Sequence, residues 1–177
     1  AGRGTRLRPK TSDCPKGLLE VNGRPILTHC FESLSALDVE EIVVVVGYLG
    51  EQIIEHFGSS YRGIPLRYVE QSEPRGLGDA VLQAGPHVDD DFVQLNGDNL
   101  LDLDLQRVLH RHRETSPAVT LLVERTSRER AMETGVLELD GTRVTGLVEK
   151  PDDPPSRTIT TGVYVFSPVI FGALQTV

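Results

Sequence analysis

The segment Ile42-Val43-Val44-Val45-Val46 limits the fold more than any other. Five consecutive β-branched residues favour a strand, because branching at Cβ leaves little rotamer freedom in a helix. An unbroken apolar run ending in Gly47 predicts a strand buried on both faces, since a half-exposed strand would alternate with polar residues. Helical periodicity lies on either side of it. Pro25 opens a predicted helix with Ile26, Leu27, Cys30, Phe31 and Leu34 on one side. Gly50–Phe57 predicts a second, with Ile53, Ile54 and Phe57 facing inward.

The alternation continues. Pro65–Val69 reads as a strand, Gly76–Ala84 as a helix opened by a glycine turn, and Phe92–Leu95 as a short strand stopping at Asn96-Gly97-Asp98. Leu103–Arg113 predicts a helix and Ala118–Glu124 a strand. Strands alternating with helices argue for an α/β sheet of mostly parallel strands. After Thr126 three strands follow one another, Gly135–Leu139, Arg143–Glu149 and Thr158–Phe166, and Pro168–Leu174 suggests a closing helix. The 177 residues suit one domain, 1–177, or a large part of one. Cys14 and Cys30 lack metal-like pairing, so reduced thiols in a cytoplasmic protein are expected. No apolar run approaches membrane-spanning length.

Charge is unevenly placed. Residues 1–16 carry Arg3, Arg6, Arg8, Lys10 and Lys16 against the single anion Asp13, in a chain of net charge −8. No long basic stripe exists to neutralise many phosphates, which disfavours nucleic acid. Gly2 and Gly4 lie inside this cationic segment, and glycines let backbone N–H groups approach a ligand without interference from Cβ. Successive N–H groups in such a turn form an anion-binding concavity. A small polyphosphate is the expected occupant. Lysine is scarce: Lys10, Lys16 and Lys150 stand against fifteen arginines, and Lys16 and Lys150 each flank a proline.

Three more segments carry candidate chemistry. Asp98 follows a predicted strand end in Gly97-Asp98-Asn99, where a carboxylate could take Mg²⁺ together with substrate phosphates and waters. The same residues also spell an ordinary turn. Gln71 begins Gln71-Ser-Glu-Pro-Arg-Gly76-Leu-Gly78; its amide can donate and accept, matching a pyrimidine edge, and Gly76 permits close approach of a planar ring. Glu149-Lys150-Pro151 ends a strand with a carboxylate for sugar hydroxyls and an ammonium for a phosphate, and Gly135 could let a sugar reach backbone. Read singly, these also fit a helix-leading turn, a surface ion pair and a strand kink. His110 and His112 sit two apart on a predicted helix and point away from each other, so they form no metal pair.

In this order the segments resemble the sugar-1-phosphate nucleotidylyltransferase family. The resemblance rests on Gly2-Arg3-Gly4-Thr5-Arg6-Leu7-Arg8-Pro9, Pro15-Lys16-Gly17-Leu18-Leu19, Gln71–Gly78, Gly97-Asp98-Asn99, Glu149-Lys150-Pro151 and Thr161-Gly162-Val-Tyr-Val-Phe. It implies a Rossmann-like three-layer α/β/α domain with a mostly parallel mixed sheet. A glycine phosphate loop ordinarily follows a strand, and this one begins at residue 1, so the first strand and the family's second metal-binding aspartate are expected outside the residues given. The resemblance further implies transfer of a nucleotidyl group from a nucleoside triphosphate, UTP or dTTP, to a sugar 1-phosphate such as glucose 1-phosphate. Gly2, Gly4 and Thr5 would cradle the triphosphate, Arg6 would neutralise pyrophosphate, and Lys16 the α-phosphate and incoming phosphate. Gln71 and Gly76 would select the base, Asp98 would hold Mg²⁺, and Gly135, Glu149 and Lys150 would hold the sugar phosphate. An assembly of several copies is compatible with this reading. Alternatives are a cytidylyl or molybdopterin-guanylyl transferase, or a non-catalytic regulatory subunit that binds sugar nucleotides.

Overall fold

The computed structural model describes Leu7, Pro9, residues 11–100 and residues 103–176. A single 3₁₀ turn, Lys16–Leu18, leads into a minimal hairpin of β1 (Glu20–Val21) and β2 (Arg24–Pro25). Its turn, Asn22-Gly23, has positive φ at both residues (54° and 73°), the conformation that matches strand twist in a two-residue hairpin. Pro25 then caps α1 (Ile26–Ser35), which buries Ile26, Leu27, Cys30 and Phe31.

The strand predicted at Ile42–Val46 is β3, and it alternates buried with half-buried residues where burial on both faces was expected. It is followed by α2 (Gly50–Phe57), then β4 (Ser60–Tyr61) and β5 (Ile64–Glu70). β5 lies between β3, to which it is parallel, and the antiparallel β4. Leu27 and Phe31 of α1, Ile42, Val44 and Val46 of β3, Ile53 of α2 and Leu66 of β5 form one core cluster. Phe31 meets Phe57 edge-to-face with ring centroids 4.9 Å apart. Ile54 departs from expectation: it is 40% exposed, because Ile53 and Phe57 already occupy the inward stripe of this two-turn helix.

α3 (Leu77–Ala84) packs on β3 and β5. The second sheet is built from β6 (Phe92–Leu95), β7 (Val119–Arg125), β8 (Gly135–Asp140), β9 (Arg143–Glu149) and β10 (Thr158–Phe166). α4 (Leu105–Thr115) starts at Asp104, whose side chain accepts the Gln106 N–H, and covers this sheet through Leu105 against Val163. α5 (Arg128–Ala131) buries Ala131 against Val136 and Ile159. α6 (Ile170–Leu174) packs on α3.

The α/β class is as predicted, while the strand pairing differs in detail. Among the described residues β3–β5 is the one parallel pair, and every other pair is antiparallel. The strand–helix rhythm up to residue 124 suggests mostly parallel pairing. Instead β10, coming last, runs back between β7 on one side and β8 and β6 on the other, and sets the antiparallel sense of that sheet.

Burial raises the Cys30 thiol from its ordinary 9.0 to about 11. The unfolded chain therefore ionises first, and Cys30 opposes folding as pH rises from about 9 towards 11. Alkylation of the native protein with iodoacetamide at pH 8, followed by mass spectrometry, should modify the half-buried Cys14 and leave Cys30 intact until the chain is unfolded. Phe31→Ala should lower stability by about 3–5 kcal/mol in urea unfolding, since Phe31 is 2% exposed and fills the first core cluster.

Candidate active site

Two of the predicted residues, 82 positions apart, meet directly: the Lys16 ammonium donates to the Asp98 carboxylate. Lys16 opens the 3₁₀ turn behind Pro15, and that turn sits hard against α1. A Cβ on Gly17 would lie 2.6 Å from Leu27 Cδ1, so only glycine lets the backbone come so close. Residues upstream are tied to the start of α2. The Tyr48 hydroxyl donates to the Ser12 carbonyl at 2.8 Å, and Gln52 Nε2 to the Asp13 carbonyl at 3.2 Å. The Lys16 and Asp98 side chains remain 36% and 39% exposed, so both are reachable by a dissolved substrate.

Asp98 stands on a turn at the carboxyl end of β6, closed by the Asn99 N–H donating to the Asn96 carbonyl at 3.0 Å. The turn is bonded to β10: the Asn96 N–H donates to the Gly162 carbonyl at 3.0 Å. Asn99 Nδ2 donates to the carbonyls of Thr161 and Gly162 at 2.9 and 3.2 Å. Gly162 has φ +77°, and a Cβ there would lie 2.4 Å from Asn96 Nδ2. Among the described residues its missing side chain admits that of Asn96.

Gln71 follows β5 and is only 6% exposed. Its backbone N–H donates to the Val46 carbonyl at 2.7 Å, and its Nε2 to the Gly76 carbonyl at 3.1 Å and to Asp79 at 2.5 Å. The amide is thus held in one orientation by the loop it belongs to. Gly76 caps α3 with φ +107°, and none of the described residues lies within 4 Å of where its Cβ would be. Glycine is needed there for its backbone conformation, and the space beside it is open.

Gly135, Glu149 and Lys150 lie together in the structure. Gly135 and Glu149 are direct partners across β8 and β9. A Cβ on Gly135 would stand 3.1 Å from Glu149 Oε2, so the missing side chain leaves room for that carboxylate. Lys150 takes φ +46°, donates its N–H to the Thr134 carbonyl at 3.0 Å, and pairs its ammonium with Glu149 at 3.3 Å. Both side chains are more than half exposed, free to exchange each other for a ligand.

Gly2, Gly4, Thr5 and Arg6 lie outside the described residues. No group of three or more metal-ligating side chains occurs among the described residues. Asp98 nevertheless fits Mg²⁺: it is a hard, accessible oxygen donor already facing a cation, and Mg²⁺ commonly takes one or two carboxylates and completes its shell with phosphates and water. Two surface recesses, one bordered by Glu41, Arg67 and His87 and one by Arg128, Ser156 and Arg157, are lined by none of the predicted residues.

The sequence reading missed Asp79, which orients Gln71, and Asn96 and Cys30, which meet the Asp98 turn. Asp79 carried one usable signal, an acid in the first turn of a helix beside a glutamine loop. Little weight was due to histidine, as expected: His112 is buried and bonds Thr120 Oγ1 at 2.8 Å, a packing role between α4 and β7.

A profile described as nucleotidyl transferase matches residues 1–176. The UTP–glucose-1-phosphate uridylyltransferase AglF of Haloferax volcanii is 46% identical over 178 residues, covering all of this chain and 73% of that protein. A glucose-1-phosphate thymidylyltransferase of Streptomyces antibioticus is 35% identical, over 99% of this chain and 50% of its own length. The chain thus spans about three quarters of the first and half of the second. Among solved structures, a UDP-glucose pyrophosphorylase complexed with UDP-glucose superposes with a TM-score of 0.89 at 25% identity, over 99% of this chain and 76% of that one. Profile, relatives and fold converge, and the chain belongs to the nucleotidyl transferase family.

Proposed function

We propose that the protein transfers a nucleotidyl group from UTP or dTTP to glucose 1-phosphate, releasing pyrophosphate. The observation that carries this reading is the meeting of Lys16 with Asp98. Attack of a sugar phosphate oxygen on the α-phosphorus brings two anions together. The chain must therefore supply a mobile cation and an anionic seat for a metal at one point. Lys16 is the cation, and it leaves Asp98 to lie between the α-phosphate and the incoming phosphate. Asp98 would hold Mg²⁺, which when bound supplies charge neutralisation to the triphosphate.

The remaining work is positioning and electrostatics. Gln71, whose two Nε2 hydrogens are taken by Asp79 and the Gly76 carbonyl, would meet the base as an acceptor through its amide oxygen, and the space beside Gly76 would receive the ring. Glu149 accepts sugar hydroxyls, and Lys150 exchanges Glu149 for the sugar phosphate. On sequence grounds Gly2, Gly4 and Thr5 would cradle the triphosphate and Arg6 would neutralise the leaving pyrophosphate. The names of the two relatives above support the uridylyl and thymidylyl choice and the glucose 1-phosphate acceptor.

Pyrophosphate release by the purified protein, assayed with each triphosphate against a panel of sugar 1-phosphates, tests the reading. Turnover should be greatest with UTP or dTTP and glucose 1-phosphate; tight binding without pyrophosphate release would instead identify a regulatory sugar-nucleotide binder. Lys16→Ala should lower kcat by about 10²–10³-fold, the cost of removing one charge-stabilising donor, with little change in melting temperature. Asp98→Ala should abolish Mg²⁺-dependent pyrophosphate release, and an unchanged Mg²⁺ titration would remove Asp98 from the metal site. Glu149→Gln should raise KM for the sugar phosphate by about tenfold while kcat changes less, because a carboxylate bound to hydroxyls is worth roughly 1.5–3 kcal/mol.

A further inference from the structure

Asp98 itself has little to fix its aim. Its carboxylate is 39% exposed, and its ion-pair partner, Lys16, must move away when substrate arrives. What holds the carboxylate then is the backbone of residues 96–99, and that backbone is fastened from two sides.

The first fastening is a fault line in β10. Ile159 pairs with Val136 of β8, while Val163 to Phe166 pair with β6, so the strand changes partner between them. Its register against β7 also shifts between Thr160 and Tyr164. At this break the buried Gly162 carbonyl keeps a ladder-like partner in the Asn96 N–H, and the Thr161 and Gly162 carbonyls also draw side-chain donors. The Asn99 side chain supplies them, bonding both carbonyls at 2.9 and 3.2 Å, and the Asn96 N–H adds a second bond to Gly162 at 3.0 Å.

The second fastening comes from α1. The Cys30 thiol, 3% exposed, donates to the Asn99 carbonyl at 3.3 Å, with the Asn96 carbonyl at 3.8 Å. Asn96 is in turn steadied by Gln94 Nε2 donating to its Oδ1 at 3.1 Å. The turn carrying Asp98 is therefore bonded at both ends, to β10 through Asn99 and Asn96 and to α1 through their carbonyls.

We infer that Asn99 is a positioning residue for Asp98: by occupying the two carbonyls exposed at the partner switch of β10, it sets the orientation in which the carboxylate meets the metal. The inference rests on the reading of Asp98 as the Mg²⁺-binding carboxylate. Groups that orient a metal ligand from behind cost about 10–100-fold in metal affinity or activity when removed.

Asn99→Ala is compared with the wild type and with Asp98→Asn in two assays. One is the Mg²⁺ concentration giving half-maximal pyrophosphate release; the other is Mn²⁺ binding in the presence of UTP, followed by electron paramagnetic resonance. Asn99→Ala should raise both midpoints about tenfold or more while KM for glucose 1-phosphate stays within about twofold. A purely structural role would lower the active fraction and leave the midpoints in place, and midpoints within twofold of wild type overturn the inference. If Asn99→Ala does not yield folded protein, Asn99→Ser keeps one donor that reaches a single carbonyl. Its midpoints should rise at least threefold, and a smaller rise overturns the inference equally. Should Asp98→Asn itself leave both midpoints unchanged, the metal assignment of Asp98 falls and takes the positioning role with it. A shift in Asp98→Asn without one in the Asn99 variants removes only the latter.

Discussion

β10 is the strand on which the rest depends, and the constraint is one of hydrogen-bond accounting. Val163 and Val165 are 0% and 1% exposed, so every backbone group around them must be paired within the protein. β10 meets that demand by pairing with β7 along one edge and with β8 and then β6 along the other. The change from β8 to β6 cannot be made without a gap. Gly162 sits in the gap with φ +77°, and the polar side chains that fill it come from the Asp98 turn. The Asp98 turn thus lies where the sheet is least regular, on the support of two well-packed neighbours.

The two halves of the fold divide the labour. The three-stranded sheet with α1 and α2 positions Lys16 through Gly17 against Leu27, and Gln71 through the Val46 carbonyl. The five-stranded sheet positions Asp98 from β6 and Glu149 from β9. Lys16 with Asp98 joins the halves electrostatically, and Cys30 with Asn99 joins them by a hydrogen bond from a fully covered helix face. The acidic excess of the chain as a whole makes the few lysines at these points more distinctive, since an ammonium is a compact charge that can change partners by rotating a flexible stem.

Much of this was legible in the residues. The β-branched run predicted β3, Pro25 the start of α1, and Gly50–Phe57 gave α2 with the same bounds. Local signals of this kind report which element forms. They do not report which strand pairs with which, and the antiparallel return of β10 escaped the reading for that reason. Ile54 failed similarly, because a two-turn helix has room for only one inward stripe and neighbours choose it. In the site, Lys16, Asp98, Gln71, Glu149 and Lys150 were visible as charged or amide residues next to glycine, proline or a strand end. Asn96, Asn99 and Cys30 act through partners more than sixty residues away, and nothing in their immediate neighbours marks that role.

The contacts of Tyr48 and Gln52 have a consequence for how this chain can change over time. Both side chains bond the main-chain carbonyls of residues 12 and 13, which every amino acid possesses. The approach to Lys16 is therefore anchored without reference to the side chains found there. Substitutions at Ser12 and Asp13 leave the anchor whole, whereas a change at Tyr48 or Gln52 releases it. Drift in the one segment and constraint in the other should accordingly be read as two sides of a single attachment.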